Sequence, residues 1–273
     1  MFVISLSAVP PRFGKFGVTL DTLLRQTAPI DKILLYIPHS YQRFPDWDGT
    51  LPEVPEGVEI RRCADYGPAT KVLGAVKEFQ GQDVDILFGD DDWYYRRYWA
   101  AKFLAAKTRH PGCAIAMRGM EASTVSDASA ARDLQPRAQR RWRITDMEFQ
   151  LLYLLRQLRH GKDVLEPGRR VFRRSGYVDI FEGCCGVLVR PEMFDDVVFD
   201  IPDVAFSVDD MWLSGMLARK NVPIWLRANT REPEQTEAEL EAPLVRSVVG
   251  GMNREQANRA TVKYLRETYG IWP

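Results

Sequence analysis

Residues 84–95, which read VDILFGDDDWYY, decide the fold of this chain. The mostly apolar run Val84–Phe88 ends at Gly89, and the three carboxylates Asp90–Asp92 follow at once. A short apolar run that stops at a glycine is typical of a buried β-strand. Adjacent carboxylates repel one another. Their position after such a strand therefore indicates either a functional site or an exposed acidic turn that caps the next helix.

Strand and helix patterns alternate on the N-terminal side of this stretch. Alternation of this kind predicts an α/β fold with a mainly parallel central sheet that is flanked by helices on both faces. Ligands of such sheets bind beyond the carboxyl ends of the strands. We therefore expect the acidic stretch to share one crevice with the loops Pro10–Arg12 and Asp65–Lys71. The predicted strands are Phe2–Ser7, Lys32–Ile37, Val58–Arg62 and Val84–Phe88, and the predicted helices are Phe16–Gln26 and Pro68–Phe79.

The C-terminal side of the stretch contains further elements and two charged segments. Basic residues dominate from Arg132 to Arg174, and the acidic segment Glu232–Glu241 is expected to be solvated. The pattern predicts strands at Ala114–Met117 and Val187–Val189, and helices at Tyr95–Thr108, Met147–Leu158, Asp210–Arg219 and Arg254–Tyr269.

Bulk composition excludes several classes of protein. The 273 residues include 37 basic and 37 acidic side chains, so net charge does not point to a nucleic-acid partner. No apolar run is long enough to span a bilayer, and the first residues lack the pattern of a signal peptide. The four cysteines form no C-x-x-C pair, which argues against zinc. A cytoplasmic location is the expectation.

The three aspartates suit a divalent cation. Successive side chains of an extended backbone point to opposite sides, so Asp90 and Asp92 are expected to face the same way. A pair of carboxylates suits Mg²⁺ or Mn²⁺, hard cations that keep several waters and also bind substrate phosphates. The alternative is the acidic turn described above.

A second acidic site lies at Ser207–Asp210, before the apolar run that begins at Met211. One interpretation is a capping box in which Ser207 and Asp210 satisfy free backbone N–H groups at the helix start. The other is catalytic, because a carboxylate at a helix N-terminus is favoured in its charged form and can act as a base. Asp209 makes this site richer in carboxylates than a cap requires.

These features together resemble GT-A glycosyltransferases, in particular the bacterial enzymes similar to family 2. The segment ILFGDDDWYY resembles the strand and DXD motif of that family. The resemblance extends to VISLSAVPPR (3–12), DYGPATKVLGAV (65–76), EGCCGVLVRPEMF (182–194) and VDDMWLSGMLARKNVPIW (208–225).

The resemblance implies a GT-A fold in which residues 1–273 form one domain. Residues 1–120 would be a Rossmann-like half that binds a nucleotide sugar, with a UDP-sugar favoured. Residues 121–273 would bind a glycan or lipid-linked acceptor and carry an arginine-rich insertion at 132–174.

The resemblance also implies roles for the acidic residues. Asp90 and Asp92 would hold Mn²⁺ or Mg²⁺ on the donor diphosphate, and Asp91 would contact ribose or sugar. Asp210 would be the general base of an inverting transfer, with Asp209 in the place that usually holds a glutamate. Many relatives have a late histidine as a further metal contact. This chain has none after His160, so that contact is missing or comes from a residue such as Asn229.

Other donor-side candidates each have a structural alternative. Arg12 belongs to the segment that resembles the nucleotide loop. Lys71, near the start of a predicted helix, is either a diphosphate contact or a surface lysine. Asp65 is either a contact to the base or ribose, or a residue of the turn after a strand.

The acceptor side has three candidates. Trp93 would stack on a sugar ring or fill the core. Glu182 and Gly183 would line an acceptor pocket, and the competing explanation for the glycine is close packing.

The segment Arg132–Arg174 admits three interpretations: an ordinary solvated surface, a site for an anionic acceptor, or a contact with anionic lipid headgroups. Two alternatives to a glycosyltransferase also stay open. A sugar-nucleotidyltransferase usually has a glycine-rich loop after its first strand, which Ala8–Arg12 lacks. The other alternative is a binding module without turnover.

Overall fold

The structure of this protein is a computed structural model that describes residues 1–130, 132–162, 164–241 and 251–273. Its described residues form a central sheet of eight strands: β1 (Phe2–Ser7), β2 (Lys32–Pro38), β3 (Val58–Cys63), β4 (Asp85–Phe88), β6 (Ala114–Ala116), β10 (Gly176–Val178), β12 (Val187–Val189) and β13 (Ile224–Leu226). Their order across the sheet is β10-β13-β6-β12-β4-β1-β2-β3.

The central sheet is mixed and mostly parallel, which confirms the predicted α/β class. Strands β1, β2, β3 and β4 pair in parallel, and β13 pairs in parallel with β6. Strand β12 runs antiparallel between β4 and β6, and β10 runs antiparallel along β13. The carboxyl ends of β1 and β4 therefore lie at one edge of the sheet, where the loop Pro10–Arg12 and the acidic stretch begin.

Apolar side chains of the sheet are buried on both faces, so strands such as β4 show no alternation with polar residues. Ile86 and Phe88 of β4 belong to the core on one face, and Leu87 belongs to the core on the other. Helices cover both faces, as expected for a largely parallel sheet. The helices are α1 (Gly17–Leu24), α2 (Thr70–Glu78), α3 (Trp99–Arg109), α4 (Met147–His160), α5 (Asp209–Arg219) and α6 (Arg254–Tyr269).

Short strand pairs build up the rim around the carboxyl edge. They are β5 (Trp93–Tyr94) with β14 (Glu234–Gln235), β7 (Gly119–Met120) with β11 (Ile180–Phe181), and β8 (Gln139–Arg140) with β9 (Phe172–Arg174). No helix in the described part of the chain is long and apolar enough to cross a bilayer.

The prediction that Glu232–Glu241 is a solvated segment is wrong. Glu232 is buried, and Glu234 lies in β14, which pairs with β5. Arginines neutralise these carboxylates: Arg118 lies 3.4 Å from Glu232, and Arg156 lies 2.6 Å from Glu234. An acidic sequence can be half-buried where the fold brings arginines against it.

Candidate active site

The carboxyl edge of the sheet contains a cavity of about 740 Å³. The loop after β1, the loop before α2, the acidic stretch after β4 and the start of α5 all line it, which confirms the predicted convergence. Its lining side chains include seven acidic and five basic residues: Asp65, Asp90, Asp91, Asp92, Glu182, Asp209 and Asp210, with Arg12, Arg43, Lys71, Arg118 and Arg254.

The backbone at the acidic stretch differs from the expected extended form, because Asp91 and Asp92 lie in a turn. Arg12 is positioned by the 3₁₀ turn Pro10–Arg12 and lies against both side chains. Its Nη1 donates to Oδ1 of Asp91 at 2.6 Å and lies 3.0 Å from Oδ2 of Asp92. Hence Asp91 and Asp92, rather than Asp90 and Asp92, share a cationic partner.

The acidic turn is held by neutral groups on both sides. Thr19 Oγ1 of α1 donates to the carbonyl oxygen of Asp91, and Tyr95 Oη donates to that of Asp90, both at 2.9 Å. Gly89 is required here, since a Cβ atom would lie only 2.3 Å from Tyr95 Oη. These contacts hold the backbone of the turn in place and leave the three carboxylate side chains to contact a ligand.

Burial weakens the ionisation of Asp92. Loss of solvent, together with the charges of Asp90 and Asp91, raises the pKa of Asp92 to about 7, although Arg12 and Lys71 act in the opposite direction. Asp92 Oδ1 and Asp91 Oδ2 are buried and accept no hydrogen bond from the described residues. Such orphaned carboxylate oxygens are unfavourable unless a further cation or donor reaches them.

Lys71 joins the two acidic sites. It is the second residue of α2, and its buried Nζ lies 2.6 Å from Oδ1 of Asp90 and 3.0 Å from Oδ2 of Asp209. Burial acts to lower its pKa, but the charges of Asp209, Asp90 and Asp210 raise the pKa of Lys71 well above its ordinary value. The ammonium is therefore permanently charged, and Lys71 is not a surface lysine.

The capping-box interpretation of the second acidic site is wrong. Helix α5 begins at Asp209, its N-cap is Val208, and no side chain caps it. Asp210 accepts instead from the backbone N–H of Gly183 at 2.8 Å and lies 3.4 Å from Nη2 of Arg254. A carboxylate bound to another part of the chain contributes to the cavity rather than to its own helix.

Asp210 differs from Asp209 in access and in acidity. The Asp210 side chain is 13% exposed and that of Asp209 only 3%. Burial and the charge of Asp209 raise the pKa of Asp210 to about 7, while Arg254 and Lys71 oppose the shift. A carboxylate with such a pKa is ionised in part at neutral pH and is a stronger base than an ordinary aspartate.

The remaining predicted residues lie at the edges of the cavity. Asp65 accepts from the backbone N–H of Gly67 at 2.9 Å, so it forms the predicted turn, and it also lines the cavity. Trp93 is half-buried on β5 and lines the cavity as well. Glu182 accepts from Nε of Arg118 at 2.9 Å. Gly183 is close to the second acidic site, because a Cβ atom there would lie 3.1 Å from Asp210 Oδ1.

Three arginines of the cavity lining, Arg43, Arg118 and Arg254, are not predicted from the sequence. Arg118 follows β6 and contacts Glu182, and Arg254 begins α6 and contacts Asp210. Neither residue belongs to a recognisable motif, and no sequence signal identifies the partner of a lone arginine. The suggested metal contact Asn229 lies elsewhere: its Nδ2 donates to the carbonyl oxygen of Arg173 at 3.2 Å, and it does not line the cavity.

Charge, rather than a complete set of protein ligands, is what could attract a divalent cation to this cavity. Its lining has an excess of two carboxylates over cationic side chains, and one buried oxygen of Asp92 has no hydrogen-bond partner among the described residues. In the described part of the chain, no three His, Cys, Asp or Glu side chains are grouped so that they could hold a metal. Such a site suits Mg²⁺ or Mn²⁺ that is bound by one or two carboxylates and completed by phosphates and waters.

No protein-family model matches the chain, and no curated protein matches its sequence. The structure of S. aureus TarS 1–349 in complex with UDP-GlcNAc is similar, with 12% identity and a TM-score of 0.46, over 91% of this chain and 61% of that chain. Another S. aureus TarS structure has 13% identity and a TM-score of 0.42, over 87% of this chain. This chain spans 37% of the length of that TarS chain.

Proposed function

We propose that this protein is a metal-dependent, inverting glycosyltransferase that moves a sugar from a nucleoside-diphosphate sugar to a hydroxyl group. A single observation carries the proposal: the acidic turn after β4 and the two aspartates that begin α5 line one cavity, joined by Lys71. A cavity of about 740 Å³ is within the range of small-molecule sites. Besides Lys71, each carboxylate group has a cation of its own, Arg12 for the first and Arg254 for the second, which allows the two groups separate roles at the two ends of the reacting bond.

The first acidic group serves the donor diphosphate. Asp90 and Asp92 would hold Mn²⁺ or Mg²⁺, which supplies positive charge that stabilises the departing nucleoside diphosphate. Arg12 and Lys71 line the same part of the cavity and add cationic groups for the phosphates. Asp91 accepts a hydrogen bond from Arg12 and so positions this arginine for the donor phosphates. Asp65 lines the cavity and would hydrogen-bond the base or ribose of the donor.

The second acidic group serves the acceptor. Asp210 takes the proton of the acceptor hydroxyl, and the electron pair of that oxygen forms a bond to C1 of the donor sugar. The bond between C1 and the diphosphate oxygen breaks, and its electron pair leaves with the nucleoside diphosphate. One displacement of this kind inverts the configuration at C1.

The acceptor itself is proposed to be a carbohydrate or a lipid-linked sugar. Trp93 offers an aromatic face, and Glu182, positioned by Arg118, offers carboxylate oxygens for sugar hydroxyls. Gly183 leaves room beside Asp210, which a larger residue would fill.

The first test measures donor binding rather than turnover. In calorimetric titration, UDP or another nucleoside diphosphate should bind at least about tenfold more weakly after EDTA treatment than with Mn²⁺. Asp92→Ala should lose the same metal-dependent part of the affinity, whereas Asp46→Ala, at an exposed aspartate, should bind normally. Equal affinity with and without metal in the wild type would remove the metal from the proposal.

The second test measures turnover. Nucleotide sugars that bind should yield nucleoside diphosphate slowly with water and faster with the correct acceptor, and NMR should show an inverted anomeric centre. Retention at C1 would contradict the direct displacement by the acceptor oxygen that Asp210 deprotonates. Release of pyrophosphate from a nucleoside triphosphate and a sugar phosphate would instead identify a nucleotidyltransferase. Binding without any turnover would leave a binding module.

A further inference from the structure

Helix α4 (Met147–His160) exposes a continuous apolar stripe. Its members follow at intervals of three and four residues, which places them on one face of a helix. The stripe consists of the exposed residues Met147, Leu151, Leu154, Leu155 and Leu158. The end residues Met147 and Leu158 are 73% and 75% exposed. Trp142 and Ile144, 75% and 72% exposed, extend this stripe before the helix begins. A contiguous apolar surface of this kind on a folded protein usually marks an interaction site.

The opposite side of α4 is attached to the protein, so the orientation of the stripe is fixed. Phe149 is buried and stacks on Tyr153, and Arg143 and Arg169 lie over the Phe149 ring. Arg156 donates to Glu234 at 2.6 Å. The exposed leucines therefore do not result from an undocked helix, because α4 already buries its other side.

Basic side chains lie at the two ends of the apolar stripe. Arg159 and Lys162 stand at the end of α4, and Arg173 and Arg174 on β9. All four are exposed, and within the described residues none of them forms an ion pair. Strand β9 pairs with β8, which leads directly into Trp142. This surface thus combines leucines, a peripheral tryptophan and uncompensated positive charge.

We propose that the apolar stripe and its basic rim form a binding surface for the headgroup region of an anionic lipid bilayer. An amphipathic helix with leucines on one face and Lys or Arg beside them lies in the plane of the membrane surface. The leucines enter the boundary of the acyl chains, and the arginines and lysine bind lipid phosphates. Tryptophan side chains prefer the headgroup level of a bilayer, and Trp142, at the edge of the stripe, would lie at that level.

Charge decides between a bilayer and a second protein. A protein partner would be expected to pair with specific groups, whereas these cations are spread along the rim and form no ion pair with any described residue. The helix that carries this surface is also linked to the cavity. Arg156 of α4 donates to Glu234 of β14, and β14 pairs with β5, which directly follows Asp92. The inference does not depend on the proposed sugar transfer, since the surface lies outside the cavity.

The test is sedimentation of the full chain with vesicles of phosphatidylcholine, with and without phosphatidylglycerol. The wild type should bind the mixed vesicles, and added salt should weaken binding. Leu154→Ser combined with Leu158→Ser should weaken it more than about tenfold, because each buried leucine contributes strongly to partitioning. Arg173→Glu combined with Arg174→Glu should also weaken it. The control Leu51→Ser, at an exposed leucine in a loop, should bind like the wild type.

Several results would overturn the inference. They are equal binding to vesicles without phosphatidylglycerol, unchanged binding of the double leucine variant, or no vesicle binding by the wild type. A wild-type dimer that the leucine substitutions separate into monomers would assign the stripe to a second copy of the chain instead. Circular dichroism and melting of each variant should match the wild type, since the substituted residues are exposed.

Discussion

Lys71 Nζ lies 3.0 Å from Oδ2 of Asp209, although the two residues are far apart in the sequence. The same nitrogen lies 2.6 Å from Oδ1 of Asp90. One buried ammonium therefore pairs with one carboxylate of each acidic group at the same time. Its removal would leave carboxylates that repel each other in a largely buried site.

The first prediction concerns this bridge. Lys71→Met keeps much of the apolar stem but removes the charge, so Asp90 and Asp209 lose a shared partner. Breaking a buried ion pair from one side typically costs about 3–5 kcal/mol in the free energy of unfolding. We expect a loss near the lower end of that range, measured by urea denaturation.

The control is Lys77→Met, at an exposed lysine of the same helix that lies over the Phe199 ring, and it should change stability by no more than about 1 kcal/mol. Adding Asp209→Asn to Lys71→Met should restore part of the stability, because one unpaired charge is then gone. Equal effects of the Lys71 and Lys77 substitutions would show that the bridge is not important for stability.

The second prediction concerns the general base. Asp210→Asn keeps the shape of the side chain and the acceptor oxygen for Gly183 N–H, but it cannot take a proton. Loss of a positioned base costs about 10²–10⁴ in kcat. Donor affinity, measured by calorimetry, should remain within about threefold of the wild type.

Asp209→Asn should have the smaller effect on kcat, since Asp209 is almost fully buried against Lys71. If Asp209→Asn is the inactive variant and Asp210→Asn keeps its kcat, the base is Asp209. A fall in activity of Asp210→Asn that matches a fall in melting temperature would assign Asp210 a structural role.

The third prediction concerns pH and stability. Burial raises the pKa of both Asp92 and Asp210 to about 7, above the ordinary value of 3.8. Between these values the folded state keeps protons that the unfolded state has lost, so both groups lower the free energy of unfolding as pH rises toward 7. We expect the stability of the ligand-free Asp210→Asn variant relative to the wild type to increase as pH rises from about 4 to about 7, and to change little above that. Melting temperatures measured over this range test the difference.

The same pKa predicts the direction of the kinetic profile. The ionised form of Asp210 accepts the proton, so kcat should rise with pH through about 7 and then level off. A profile that falls across this range would contradict the role of Asp210 as base.

The fourth prediction concerns the support of the acidic turn. A Cβ atom at Gly89 would lie 2.3 Å from Tyr95 Oη, so Gly89→Ala must displace the tyrosine or the turn. We expect a loss of about 1–3 kcal/mol in the free energy of unfolding and weaker nucleotide binding. The matched control is Gly14→Ala, where a Cβ atom would meet no atom within 4 Å.

Tyr95→Phe in the Gly89→Ala background provides a sharper check. It removes the oxygen that the new methyl group would approach, so part of the lost nucleotide affinity should return. No recovery would indicate that the damage arises from the backbone of the turn rather than from this contact.

Local patterns in the sequence predicted most of the regular elements. The strand Phe2–Ser7 and the helix Arg254–Tyr269 have the predicted bounds, because apolar periodicity and capping residues act between near neighbours in the chain. The position of the acidic stretch directly after β4 is predicted for the same reason, whereas its turn is not. The convergence of three loops also followed, since the carboxyl ends of parallel strands meet at one edge.

Local patterns failed where a residue depends on a distant partner. The interpretation of Ser207 and Asp210 as a capping box was reasonable locally, yet the partner of Asp210 is Gly183 on another element. The acidic residue Glu232 was expected in solvent, but Arg118 neutralises it in a buried position. Neither arrangement is encoded in the neighbouring residues.

The sequence by itself determined the six helices, six of the eight strands of the described central sheet, the α/β class and the two acidic groups, but not β10 and β13. Tertiary structure alone decided which cation meets which carboxylate: Arg12 with Asp91 and Asp92, Lys71 with Asp90 and Asp209, and Arg254 with Asp210. The physical reason is that secondary structure arises from interactions between near neighbours, whereas charge pairing and burial depend on distances that only the packed fold sets. Those distances also raise the pKa values of Asp92 and Asp210.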